Sequence, residues 1–128
     1  MTRLGGDPPS PWEGRYGFSR VVRAGDWVMV GGTTSVDADG MVRGETAYEQ
    51  TQIVLEKIGR ELARVGASLA AVIQTRVYVT DISRIDDVGR AHGELLGHVR
   101  PLMTGVEVSA LIDPRMLVEI EAVAYVAG

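Results

Sequence analysis

The chain of 128 residues contains no cysteine, which excludes disulfide bonds, thiolate nucleophiles and cysteine metal sites. It has only two histidines, His92 and His98. Neither falls in a His-x-x-x-His or Glu-x-x-His spacing, and three histidine ligands are impossible. We therefore expect no metal site.

Basic and aromatic residues are also scarce. Lys57 is the only lysine, the net charge is −4, and aromatic residues make up 5% of the chain. A surface that binds nucleic acid normally combines a basic patch with aromatic platforms on which bases stack. The composition therefore predicts no nucleic-acid partner.

Long apolar runs are missing as well. No stretch approaches the roughly 18 apolar residues that span a bilayer, and residues 1–14 contain no apolar run of signal-peptide type. We expect no membrane partner, and the lack of both a signal and disulfides favours a cytoplasmic protein. The length predicts a single domain over residues 1–128, with the Gly- and Pro-rich residues 1–14 as an irregular N-terminal arm.

The remaining sequence alternates strand and helix patterns. A capping box at 46–49 opens a helix that ends before Gly66, and Asp81 or Ser83 caps a second helix from Ile85 to about Gly97. The predicted strands are 18–24, 27–32, 72–80, 100–108 and 117–125, the first two forming a hairpin. This order predicts an α+β layer with two helices on one face of a sheet.

The uncovered sheet face is predicted to carry Tyr78, Met103, Val123 and Tyr125 beside charged residues. A half-apolar face on so small a chain favours oligomerisation.

The last predicted strand contains the sharpest chemical feature, because glutamates alternate with apolar residues at Glu119 and Glu121. A carboxylate within an apolar strand is costly unless it is paired, exposed or used. Glu119 is therefore either a general base that positions water or a structural carboxylate paired with Arg76 or a neighbouring subunit. Glu121 is predicted to be structural.

Gly31 and Gly32 indicate a bulge, made either for packing or to present backbone N–H groups to an anion.

Several segments together resemble the RidA family of reactive-intermediate deaminases, also called YjgF or L-PSP. They are Phe18 to Gly25, Val30 to Thr33, Val65 to Leu69, Val72 to Asp81, and Val118 to Ala122. The resemblance implies a chorismate-mutase-like fold with a mixed β-sheet and two helices on one face. It also implies a homotrimer with a central β-barrel and a small-molecule pocket at each interface. Members of this family hydrolyse reactive enamines and imines without a cofactor.

Carried over position by position, the resemblance makes Glu119 the catalytic residue. The arginine that clamps the substrate carboxylate in the family is replaced by Met103, which offers no hydrogen-bond donor. Phe18 stands for the family's tyrosine, Gly31 for its serine and Gly89 for its asparagine. The residues predicted to bind substrate are Met103, Phe18, Gly31, Thr33, Gly89, His92, Arg100 and Thr104.

Two functions of different classes follow from these residues. One is a RidA-like enamine or imine hydrolase of altered specificity, since losing a charge-assisted clamp costs about 1.5–3 kcal/mol of binding. The other is a non-catalytic trimer that binds a small metabolite or a partner protein. The acidic balance and the single lysine disfavour a ribonuclease. An arginine beside Glu119, from Arg100, Arg115 or Arg20, would favour the enzyme.

Overall fold

The computed structural model describes residues 1–127 as a six-stranded mixed sheet in the order β1-β2-β3-β6-β4-β5. All neighbouring strands are antiparallel except β4 and β5, which are parallel. The strands are β1 (Thr2–Leu4), β2 (Val21–Ala24), β3 (Trp27–Thr33), β4 (Val72–Val79), β5 (Leu102–Glu107) and β6 (Val118–Tyr125). The helices are α1 (Pro11–Tyr16), α2 (Ala47–Ala63) and α3 (Ile85–Leu96). The predicted α+β class is confirmed.

The two long helices begin and end where the sequence predicts. The Thr46 hydroxyl accepts a hydrogen bond from the Glu49 backbone N–H at 3.1 Å, which caps α2. Gly66 follows the helix with a φ of +80°, a left-handed conformation that glycine adopts without strain. Asp81 accepts from the Ser83 N–H at 3.0 Å and caps a short 3-10 turn that leads into α3.

The N-terminal residues are more ordered than predicted, and the expectation of an irregular arm over 1–14 is wrong. β1 pairs with β2, and α1 follows after Ser10. The buried Glu13 carboxylate accepts hydrogen bonds from the backbone N–H groups of Gly6 at 2.7 Å and Ser10 at 2.8 Å. The Glu13 side chain thus satisfies two backbone N–H groups in this Gly- and Pro-rich segment. Pro11 is the first residue of α1, a position that proline favours because its fixed φ suits the first turn of a helix.

The core lies between the helices and one face of the sheet. Along β6 the apolar residues alternate inward and pack under α2 with valines from β3 and β4. These buried strand residues are Val28, Val30, Val77, Val79, Val118, Ile120, Ala122 and Ala124. Within residues 1–127 no helix is long and apolar enough to cross a membrane.

No helix in the described chain covers the opposite face, which we call the open face. It presents Met29, Val106 and Tyr125, each about two-fifths exposed, and Trp27, which is 49% exposed. The rings of Trp27 and Tyr125 pack edge to face, with centroids 5.1 Å apart. This apolar surface is the half-apolar face expected from the sequence.

Met103 does not lie on the open face, which corrects the sequence-based placement. It pairs with Thr75, a buried residue on the helix-covered side of β4. Two residues further along β5, a Cβ at Gly105 would lie 3.0 Å from Ile85 of α3. Every residue of β5 is exposed, so its sequence carries no alternation of buried and exposed positions from which the facing could be predicted.

Candidate active site

Glu119 is held in the centre of the sheet against a bulge in the neighbouring strand. The register between β3 and β6 shifts between Val30 and Thr33, which confirms the predicted bulge. A Cβ at Gly32 would lie only 2.7 Å from Glu119 Oε2. Glycine at this position therefore makes the space in which the carboxylate sits.

The Glu119 carboxylate is half-buried and makes no hydrogen bond or ion pair within residues 1–127. Burial raises the pKa of Glu119 above its ordinary value. The Arg20 guanidinium acts in the opposite direction, and the nearby Glu121 raises the pKa further. A carboxyl group with a raised pKa exchanges protons nearer to neutral pH, as a general base or acid requires.

Glu121 is in a different environment. It accepts a hydrogen bond from the Tyr78 hydroxyl at 2.5 Å and lies 3.7 Å from an Arg76 nitrogen. The hydrogen bond to Glu121 raises the pKa of Tyr78. The ion pair foreseen between Arg76 and a strand glutamate therefore forms with Glu121, in agreement with a structural role, and leaves Glu119 without that partner.

Arg20 fixes the shape of the bulge beside Glu119. Its Nη2 donates to the carbonyl oxygens of Gly31 at 3.0 Å and Gly32 at 2.6 Å, and to the Thr33 hydroxyl at 2.9 Å. Its guanidinium carbon lies 6.0 Å from the centre of the Phe18 ring. We call these residues, Phe18, Arg20, Gly31, Gly32, Thr33 and Glu119, the Glu119 cluster.

Of the three arginines considered from the sequence, only Arg20 stands beside Glu119. Arg115 is tied to Asp113 in an exposed loop by a contact of 2.7 Å. Arg100 is exposed and has a φ of 57° between α3 and β5. Sequence patterns gave no reason to prefer Arg20, because its partners are 11 to 13 residues away across the hairpin.

A second group of predicted site residues lies on the helix-covered side, near the β5 edge. The Thr75 hydroxyl and His92 Nε2 are 2.9 Å apart, and both residues are buried. Burial lowers the pKa of His92, which favours the neutral imidazole. Met103 is next to Thr75 in the sheet and is 39% exposed. We call His92, Thr75 and Met103 the His92 cluster.

Open space adjoins the helix that carries His92. A Cβ at Gly89, one turn before His92, would meet no atom within 4 Å. The same holds at Gly93. Within this chain, the glycines of α3 therefore leave room rather than permit a close contact.

One chain does not bring all the predicted site residues together. Phe18, Gly31 and Thr33 contact Arg20, which stands beside Glu119, whereas Met103 lies with His92 on the other side of the sheet. Thr104 pairs with Arg76 and so belongs to the open face. Within residues 1–127, no group of three or more histidine, aspartate or glutamate side chains is placed to hold a metal ion.

Comparison with known proteins agrees with this architecture. The family model described as Endoribonuclease L-PSP matches residues 11–126. The crystal structure of Rv2704 from Mycobacterium tuberculosis, a member of the YjgF/YER057c/UK114 family, is 45% identical, covers 98% of both chains and gives a TM-score of 0.88. A putative endoribonuclease from Thermotoga maritima is 28% identical, covers 100% of both chains and gives a TM-score of 0.87.

A close relative is also found among curated sequences. An uncharacterized protein from Streptomyces coelicolor is 42% identical over 116 residues, which span 91% of this chain and 87% of the relative. The family model, the sequence identity and the shared fold point to the same group that the motifs indicated. The chain belongs to the endoribonuclease L-PSP family, which is also called the RidA or YjgF/YER057c/UK114 family.

Proposed function

We propose that the protein hydrolyses a small enamine or imine in a pocket formed between copies of the chain. The observation that carries this proposal is Glu119, a half-buried carboxylate with a raised pKa and no partner within residues 1–127. A structural carboxylate at this depth would be expected to have a hydrogen bond or a counter-ion. Its neighbour Glu121 has both.

Assembly into a homotrimer with a central barrel supplies the rest of the pocket. The Glu119 cluster and the His92 cluster lie on different sides of the sheet, so a second copy is needed to bring Met103 near Glu119. The apolar open face and the exposed edge strand β5 are suited to such contacts. Exposed apolar surface of this kind normally marks an interface.

The chemistry assigned to Glu119 is activation of water. The carboxylate accepts a proton from a water molecule as the oxygen attacks the carbon of the C=N bond. The nitrogen takes up protons and leaves as ammonia or an amine, and the carbon becomes a carbonyl. Neither a metal nor an organic cofactor enters this scheme.

Met103 gives the pocket its altered specificity. A thioether has no N–H or O–H to donate, and its flexible chain fills apolar space. The β5 side of the pocket therefore accepts an apolar part of the substrate where the family's arginine would hold a carboxylate.

The test is ammonia release from freshly generated 2-iminopropanoate. The variants are Glu119→Gln, Glu121→Gln as the matched control, Met103→Arg, and Met103→Leu as its control. Wild-type acceleration that falls at least about 100-fold in Glu119→Gln, but less than about tenfold in Glu121→Gln, supports the proposal. Activity that appears only in Met103→Arg shows that the fold supports the reaction. It also shows that the natural substrate has no carboxylate at the position where the family's arginine would bind one.

No acceleration by wild type or Met103→Arg would contradict the hydrolase. The second candidate, a non-catalytic trimer that binds a small metabolite or a partner protein, is favoured by the missing clamp at Met103. It predicts saturable binding of a small molecule without turnover. The family name and the Thermotoga relative suggest RNA cleavage as another activity. The net charge of −4 and the single lysine argue against it.

A further inference from the structure

Arg20 is a firmly positioned cation that is only partly used by the protein. A guanidinium group carries five N–H donors in a planar fork. One nitrogen, Nη2, donates to all three recorded acceptors, Gly31 O, Gly32 O and Thr33 Oγ1. Within residues 1–127, Nε and Nη1 of Arg20 make no hydrogen bond. The side chain is thus anchored on one side and has free donors on the other.

The charge of Arg20 is also not neutralised by an ion pair. Glu119 and Glu13 are close enough for the guanidinium to lower their pKa values, but neither forms a salt bridge with it in the described chain. Within residues 1–127 the Arg20 guanidinium therefore has no paired carboxylate, which favours an anion from outside.

Space for such an anion adjoins the guanidinium. Arg20 lines a cavity of about 250 Å³ together with Ser19, Gly31 and Gln74. The paired side chains of Arg76 and Glu121 also line it. Met29 and Val123 supply apolar walls. The hydroxyl of Ser19 and the amide of Gln74 add polar groups of the kind that orient a small ligand.

We infer that Arg20 is the anion-binding group of the Glu119 cluster. The ligand is a small molecule with a carboxylate or similar anion near Arg20 and an apolar portion towards Met103 of the neighbouring copy. This inference rests on the proposed function for the location of the pocket. It moves recognition of the anion from the strand β5, where the family's arginine would stand, to the segment that precedes β2.

Anion binding at Arg20 would also act on Glu119. The guanidinium opposes the rise in the pKa of Glu119 that burial and Glu121 produce. A bound anion neutralises the guanidinium and adds negative charge, so both effects favour the protonated form of Glu119. The complex should therefore take up protons when it forms.

The experiment compares a charged and a neutral probe of the same shape. Calorimetry measures the affinities of 2-oxohexanoate and 2-oxohexanamide for wild type, Arg20→Gln and Arg20→Lys. Arg23→Gln is the matched control, because Arg23 also donates to backbone carbonyls, those of Gly25 and Val65, from the neighbouring strand β2. We expect wild type to bind the anion at least about tenfold more tightly than the amide.

In Arg20→Gln the two affinities should become nearly equal, while Arg20→Lys keeps part of the preference and Arg23→Gln keeps all of it. A purely structural role would weaken both probes equally and leave their ratio unchanged, and that result would overturn the inference. Failure of wild type to bind the anion more tightly than the amide, or to bind either probe, would also overturn it.

Two readouts separate this inference from the proposed function. Proton uptake is measured by repeating the calorimetry in buffers of different ionisation enthalpy, and it should disappear in Glu119→Gln. A wild type that prefers the anion through Arg20 but hydrolyses no imine would contradict the hydrolase and leave the anion site intact. Imine hydrolysis by the wild type, together with an unchanged ratio of anion to amide affinity in Arg20→Gln, would contradict the anion site and leave the hydrolase intact.

Discussion

Glu119 and Glu121 point to the same face of β6, yet within residues 1–127 only Glu121 has hydrogen-bond or ion-pair partners. Tyr78 and Arg76 hold Glu121, whereas the carboxylate of Glu119 occupies the space beside Gly32. The two residues are the same amino acid two positions apart, so they provide an internal comparison between the carboxylate proposed as the general base and one with structural partners.

Replacement of Glu119 by glutamine is expected to stabilise the protein at neutral pH. Burial raises the pKa of Glu119 above 4.5 in the folded state, so the unfolded chain ionises this group more readily. The wild type therefore loses stability as pH rises from 4.5 to the folded pKa, and the variant does not. The gain is present at pH 7, reduced by the partial exposure of the carboxylate, and shrinks towards zero as pH falls below 4.5.

Urea unfolding at fixed protein concentration measures the free energy of unfolding for this comparison. Glu121→Gln should show no gain, because it weakens the contacts with Tyr78 and Arg76. A pH-independent loss of stability in Glu119→Gln would show that the carboxylate is structural.

Thr75→Val is expected to destabilise the protein by about 1–3 kcal/mol, because it leaves the buried Nε2 of His92 without its partner. Valine has nearly the shape of threonine, so the loss reports the hydrogen bond of 2.9 Å rather than packing. Thr75→Ser keeps the hydroxyl and serves as the control in the same unfolding measurement. Equal destabilisation by serine and valine would assign the loss to the missing methyl group instead.

Lys57→Met is expected to remove a pH dependence of stability between pH 8 and 10.5. Lys57 donates to the carbonyl oxygens of Thr34 at 2.5 Å and Val36 at 2.7 Å. Burial, with Arg20 and Arg60 nearby, lowers its pKa from 10.5 to about 8. Between these values the unfolded chain binds more protons, so the free energy of unfolding rises with pH.

The rise in wild type should be about 1 kcal/mol, since partial exposure of the lysine reduces the effect. Unfolding across the range pH 7.5–10 measures it, and Glu56→Gln, a change at an exposed position of the same helix, should retain it. A flat wild-type profile would contradict a depressed pKa at Lys57.

Met29→Glu is expected to prevent assembly, because it places a charge on the open face that the proposed trimer would bury. Met41→Glu is the matched control: the two methionines are 41% and 45% exposed, but Met41 follows the Asp37–Gly40 turn away from the sheet. Sedimentation should give three times 13.8 kDa for wild type and for Met41→Glu, and a smaller mass for Met29→Glu. An unchanged mass for Met29→Glu would place the interface elsewhere.

Much of the fold could be predicted because its signals are local. The alternation in β6 separates buried from open positions with period two, and the caps at Thr46 and Gly66 mark helix ends by side-chain chemistry. The N-terminal strand and helix could not be predicted in this way. They depend on Glu13, whose carboxylate accepts from Gly6 and Ser10, and on pairing with β2.

The site was predicted in part. Glu119 is an unusual residue for its strand, so the sequence singles it out. Arg20 resembles any arginine near a strand, and its role appears only when the bulge at Gly31 and Gly32 is folded beside it. The side of the sheet on which Met103 lies depends on the parallel pairing of β5 with β4. Every residue of β5 is exposed, so its sequence shows no alternation from which that side could be predicted.

The position of β6 also has a consequence for how the protein is made. β6 is the last strand in chain order, yet it lies in the middle of the sheet between β3 and β4. During synthesis, β1-β2-β3 and β4-β5 emerge as two groups whose inner edges have no partner until residues 118–125 are translated. Edges of this kind pair readily with other chains. The nascent protein is therefore most prone to aggregate just before its final strand closes the sheet, and folding depends on contacts between distant parts of the chain.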